Sequence, residues 1–406
     1  MVKMEIYELL DRFELLYEDT NSDISDLRRT VIDKDLPSLF RILKKYKDDE
    51  LIENIRSAIC DLNTWAFYKI YKNEDAIDFK KFILNDNIWS LFKILQKSYP
   101  NKDRIIEELR RTLNSETFTT RMRPVFSAFK NDKFTRNYYI ATNTEHASGQ
   151  AKLNATFNVV DALVENNEIV TNLRAIVAHD NRPAMYNCLD YVLDSDLVRI
   201  LERFEKEKPE YNLHDAFTQG QLRSKLWLLK HLRDINLGTV FICAGWYGTL
   251  ARAMFENERI HFDKIRSFDI DEKCVEVADM INKQWNKDDW AFKALHSDIL
   301  DVNYTEHSWT FWSTKNNRES YPIIDSPNTI INTSCEHIEN FTKWFSAIPK
   351  DKLVALQTNN YFELSEHVNC VKDINQFKQQ APLNNIIYEG ELVLEKYTRY
   401  MLIGYK

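Results

Sequence analysis

GTVFICAGWYGTLARAMFENERIHFDKIRSFDID, residues 238–271, runs as apolar strand, glycine turn, helix, second strand and acid. Residues 239–244 form a short apolar run between Gly238 and Gly245. Gly245 and Gly248 flank Trp246 and Tyr247, and residues 249–256 then take helical spacing. Residues 265–270 predict a second strand, ending in Asp269 with Asp271 just beyond. The crossover in such a βαβ unit is right-handed, so its strands are parallel. A glycine at the strand-to-helix turn lets a ligand approach the backbone, where the free N–H groups of the helix start face it. An acid at the end of the next strand, about 20 residues on, suits the two hydroxyls of a ribose.

Working outward, residues 221–232 predict a helix before this unit and residues 272–286 one after it. Residues 291–296, 328–334 and 353–359 predict three further strands. Asp298 follows the first of these, and Ser334-Cys335-Glu336-His337 follows the second. Residues 386–395 and 397–405 alternate as a terminal antiparallel hairpin. Substrate and chemistry in open α/β sheets sit at the carboxyl ends of the strands. Glu336 and His337 are therefore the catalytic candidates: a base, a holder of a substrate amine, or an orienter of a cofactor. The structural alternative is that Glu336 starts a helix, where a negative charge is favourable, with His337 on the surface. His367 and Asn369, after the 353–359 strand, are substrate-binding candidates on the same edge. No metal is expected, since two histidines without a spaced third ligand are a weak signal. Gln221, Ser224 and Lys225 on the 221–232 helix face either a ligand at the sheet edge or water, and water is the preferred reading.

The order of these segments resembles the class I S-adenosylmethionine-dependent methyltransferases over residues 221–406. The resemblance implies a Rossmann-like α/β fold, a seven-stranded, mostly parallel sheet closed by the antiparallel hairpin. It implies S-adenosylmethionine as cofactor, with Gly245, Trp246 and Gly248 shaping the turn around its methionine part. Asp269 would then bind the ribose, Asp298 the adenine amino group, and Ile299 would pack on the base. The polar, aromatic-rich segment 304–327 would cross above the sheet and help shape the substrate site. There are departures: Cys243 stands where the family often carries an acid, and Tyr247 replaces the middle glycine of the common motif. The signature that handles amines of DNA bases is absent after the fourth strand. The expected activity is methyl transfer to an unidentified acceptor. The alternatives are aminocarboxypropyl transfer, as in enzymes resembling nicotianamine synthase, and an inactive cofactor domain joined to a helical interaction module.

Residues 1–210 read as a helical domain ahead of a catalytic domain at 211–406, with the charged stretch 206–212 between them. Residues 27–43, 79–95 and 173–189 look like copies of one helical hairpin, with an obscured copy near 110–129, a pattern of stacked repeats. The basic segment 110–136, with Arg110, Arg121, Arg123 and Arg136 among phenylalanines, offers nucleic acid a possible grip, but a solvated helix face is the preferred reading. The chain has 406 residues, a formal charge of −8, 7 glycines and 9 prolines, which favours regular, packed structure over a nucleic-acid-coating protein. The six cysteines are scattered without zinc spacing, so free thiols are expected. No apolar run approaches the ~18 residues of a membrane span, and a cytoplasmic location is expected by default.

Overall fold

The computed structural model describes residues 5–18, 20–46, 50–63, 66, 69–70, 133–142, 147–164, 167–193, 195–207, 211, 213–286, 290–312 and 320–406. The second and the obscured hairpin copies lie outside the described residues, as does the basic segment up to residue 132. The chain divides into two compact units, Met1–Val198 and Arg199–Lys406.

The described part of the first unit is helical. Its two described hairpin copies turn by one device. Lys34 (φ 59) and Asp180 (φ 46) each take a left-handed conformation that closes one helix. The next residue caps the following helix: Asp35 accepts from the Ser38 N–H and Asn181 from the Ala184 N–H, both at 2.9 Å. A proline then sits in the first turn, Pro37 or Pro183, where a missing N–H costs nothing. The two helices of the later copy, Glu168–His179 and Arg182–Val192, bury one apolar face each.

The second unit holds a seven-stranded sheet in the order β3-β2-β1-β6-β7-β9-β8. Its strands are β1 (Thr239–Cys243), β2 (Lys264–Asp269), β3 (Phe292–His296), β6 (Thr329–Asn332), β7 (Leu353–Asn359), β8 (Asn385–Val393) and β9 (Thr398–Tyr405). The first five are parallel to one another, and β9 enters between β7 and β8, antiparallel to both. Every residue of β1, β6 and β7 is buried, as expected of central parallel strands covered on both faces. Phe241, Phe268, Ile330, Val354 and Leu402 join Trp344 and Phe377 from the helices in one core.

Two sequence expectations change here. None of the described residues of segment 304–327 lines the cleft at the sheet mouth. The segment contains a hairpin, β4 (His307–Trp312) and β5 (Ser320–Asp325), forming a separate two-stranded sheet. Arg266 on β2 anchors the hairpin, because its buried guanidinium needs a carboxylate. Asp325 supplies it at 2.6 Å, and also accepts from Trp309 Nε1 at 2.8 Å. The helix expected over 272–286 ends at Ile281, because Asn282 turns its amide back to the carbonyls of Gly248 and Ala278 at 3.1 and 2.9 Å; a 3-10 turn, Lys283–Asn286, follows.

Candidate active site

A cleft of about 620 Å³ opens at the carboxyl ends of β1, β2, β6 and β7. This is the topological switch point: the chain builds outward through β2 and β3, then returns to the other side of β1 with β6. The cleft is of the size that holds a nucleotide-like ligand.

One wall is the turn after β1. Ala244 (φ 53) and Trp246 (φ 49) are left-handed without being glycine, a conformation that costs roughly 1–2 kcal/mol each. Hydrogen bonds offset the strain: Gly245 N–H donates to the Phe268 carbonyl at 3.0 Å, and Trp246 N–H to Asp269 Oδ2 at 2.8 Å. A Cβ at Gly245 would stand 2.0 Å from Ser267 Oγ on the neighbouring strand, so a side chain there would force the serine hydroxyl to turn away. Gly248 answers to packing instead. Its φ is +68, and a Cβ would meet Asn282 Nδ2 at 2.7 Å and Ala278 Cβ at 2.9 Å. It does not line the cleft.

Asp269 ends β2 at the cleft edge and also accepts from the Asp271 N–H at 3.1 Å. Burial raises its carboxyl above the usual range, against the pull of the Asp271 and Trp246 N–H groups. Ile270 beside it is 69% exposed in the cleft wall. The structure places Asp298 and Ile299 elsewhere. Asp298 folds back on the Leu300 N–H at 2.9 Å, and Ile299 is buried in the core, its carbonyl accepting from Tyr304 Oη at 2.7 Å. Neither lines the cleft, because the chain after β3 turns into the core at Ile299.

The opposite wall is the 3-10 turn Cys335–His337. Glu336 is 2% exposed, and its Oε1 accepts from Asn359 Nδ2 at 2.7 Å and from Arg399 Nη2 at 3.3 Å. Arg399 also donates to the Thr333 carbonyl at 2.7 Å. Glu336 thus stands in the first turn of a short 3-10 helix with His337 exposed beside it, as the structural alternative has it, and it is also buried and paired with Arg399. His337 and His367 meet, ring centroids 4.6 Å apart and nearly perpendicular. Asn369, a candidate for substrate contact, instead braces the turn: its N–H donates to the Glu336 carbonyl at 2.8 Å and its side chain to the Cys335 carbonyl at 3.0 Å.

At the floor, Gln221 and Lys225 line the cleft and Ser224 is buried, so water is not where these side chains point. The helix Gln219–Leu232 puts Lys225, Leu228, Leu229 and Leu232 on one buried stripe. Gln357 of β7 holds that helix down by bonds to the Ser224 hydroxyl and carbonyl, 3.2 and 2.9 Å. Lys225, 6% exposed, reaches into the cleft and donates to Gln221 Oε1 at 2.8 Å. Burial, with the Arg399 charge nearby, lowers its amine to about 7. Sequence reasoning missed Arg399, Asn359 and Ile270, and left Lys225 between ligand and water. The signal for Lys225 was its place on the leucine stripe; for Arg399, a charge inside an apolar terminal strand.

Five parallel strands closed by an antiparallel pair, in this order, are the class I methyltransferase fold, and the second unit has it. No family model and no curated protein matches the sequence. Among solved structures, the chain is similar to the N-methyltransferase NodS from Bradyrhizobium japonicum WM9 in complex with S-adenosyl-l-homocysteine. The identity is 10%, over 52% of this chain and 99% of that one, with a TM-score of 0.34. Geranyl diphosphate methyltransferase in complex with GPP and sinefungin shows 10% identity over 46% and 78%, TM-score 0.32. The small RNA methyltransferase HEN1 shows 17% identity over 45% and 25%, TM-score 0.33. The strand order, not these likenesses, carries the assignment of the fold.

Proposed function

We propose that the second unit binds S-adenosylmethionine in this cleft and passes its methyl group to an acceptor held at the same mouth. One observation carries the reading. Asp269 and the strained turn at Gly245 and Trp246, joined by a 2.8 Å hydrogen bond, face one cleft at the switch point of the sheet.

The lining fits the cofactor's parts. Asp269 keeps acceptor capacity beyond its two N–H bonds, enough for a ribose diol. Ile270 offers the apolar surface for adenine in place of Ile299. Lys225 supplies a cation for the methionine carboxylate. When bound, the sulfonium supplies an already activated methyl group, so the residues serve mainly to align the acceptor and exclude water. Glu336 and His337 stand where the acceptor would be held.

Calorimetry with S-adenosylmethionine tests the reading, with wild type and Asp269→Ala side by side. Wild type should bind in the micromolar range. The variant should lose about 1.5–3 kcal/mol, the worth of hydrogen bonds to a charged group. A well-folded wild type that does not bind would sink the proposal. Product mass then separates methyl from aminocarboxypropyl transfer.

A further inference from the structure

One ligating atom each from Glu336, His337 and His367 lie within 4.8 Å of one another in the cleft wall. Both imidazoles are held the same way round. His337 Nδ1 is 3.1 Å from the Glu366 carbonyl and His367 Nδ1 is 2.8 Å from the Tyr361 carbonyl. A carbonyl only accepts, so each Nδ1 carries a ring proton, and in the neutral ring Nε2 is the nitrogen that offers a lone pair. Backbone carbonyls fix metal-ligating histidines in just this tautomer.

The third group points the same way. Glu336 Oε1 is occupied by Asn359 and Arg399, but Oε2 is buried with no hydrogen-bond partner among the described residues. A buried acceptor left so costs about 1–3 kcal/mol, a cost that a cation at the site would remove. Apart from the two histidines, the charged side chains of the cleft are Asp215, Asp269, Glu336 and Glu366 against Lys225 and Arg399, so carboxylates outnumber lysine and arginine.

We propose that Glu336, His337 and His367 hold a divalent first-row metal ion of the zinc type. Two imidazoles and one carboxylate suit such an ion and leave part of its coordination shell open. The ligands line the cleft, so the open positions go to water or to an oxygen of the acceptor. The acceptor would accordingly be a molecule with a hydroxyl or carboxylate oxygen. That role rests on the transferase reading of the cleft, whereas the ion site itself does not.

The test uses the full chain, stripped with a chelator, desalted and titrated with Co2+ without cofactor. Visible ligand-field absorption reports binding, and competition with Zn2+ followed by elemental analysis gives the stoichiometry. One ion per chain is expected, with His337→Ala and His367→Ala each weakening binding by at least about tenfold. His337 is exposed and His367 half-buried, so both variants should fold. Should one melt early, His337→Gln or His367→Gln replaces it. Wild type that retains no ion, or variants that bind as wild type does, would overturn the site. Cofactor calorimetry on the same stripped sample keeps the two readings apart: cofactor binding without an ion removes only the metal, and an ion without cofactor binding removes only the transferase.

Discussion

The Arg399 guanidinium stands 3.3 Å from the Glu336 carboxylate, both side chains almost wholly out of water. This pair ties β9, near the end of the sequence, to the turn after β6. Removing one partner leaves a buried uncompensated charge, at a cost of about 3–5 kcal/mol. Glu336→Gln and Arg399→Met should each lower stability by that order in urea melts. The double variant should lose clearly less than the two single losses combined. Additive losses would show that the two groups do not interact.

Lys225 should take up a proton when an anion binds. Its folded-state pKa, near 7, lies below the unfolded value of about 10.4. The unfolded chain therefore holds more protons between those values, and the contribution to stability rises with pH from about 7 to about 10. Lys225→Met should flatten that rise. A cofactor carboxylate beside the amine favours its charged form, so binding at pH 8 should show an enthalpy that depends on the buffer's ionisation heat. No such dependence in wild type would remove Lys225 as the carboxylate's partner.

Gly248→Ala should cost stability more than ligand affinity. The left-handed backbone alone costs about 1–2 kcal/mol, and the added methyl meets Asn282 and Ala278. The melting temperature should fall by several degrees, while the affinity of the folded fraction for S-adenosylmethionine changes less than about threefold. A larger affinity loss without a stability loss would place Gly248 at the ligand instead.

Asp325→Asn should loosen the β4–β5 hairpin. Burial pushes the Asp325 carboxyl up, but Lys264, Trp309 and Arg266 together outweigh it and hold the pKa below the usual range. The folded value is the lower one, so this stabilisation is present above about pH 4 and fades as pH falls through the folded value. The substitution should cost about 3–5 kcal/mol at pH 7 and less in acid. Equal costs at both pH values would exclude the ion pair as the anchor.

The strands of the second unit were legible because central parallel strands are uninterrupted apolar runs. Residues 353–359, for instance, form β7 with the bounds expected. The turn after β1 and the acid after β2 were legible for the same reason, since both follow directly from strand ends. Helix bounds were less so: Asn282 ends its helix by bonding across to Gly248, a residue 34 positions earlier.

Sequence by itself determined the sheet, its closing hairpin and the edge where a ligand would bind, because hydrophobic periodicity and glycine turns are local. Tertiary structure alone decided which polar groups share that edge. Lys225, Glu336, Asn359, His367 and Arg399 come from separate elements, and their side chains meet only where the strands end side by side. It also decided that Gly248 serves packing, that Ile299 belongs to the core and that Arg266 captures a hairpin. Each of these depends on a neighbour distant in sequence, and local pattern carries no information about burial against such a neighbour.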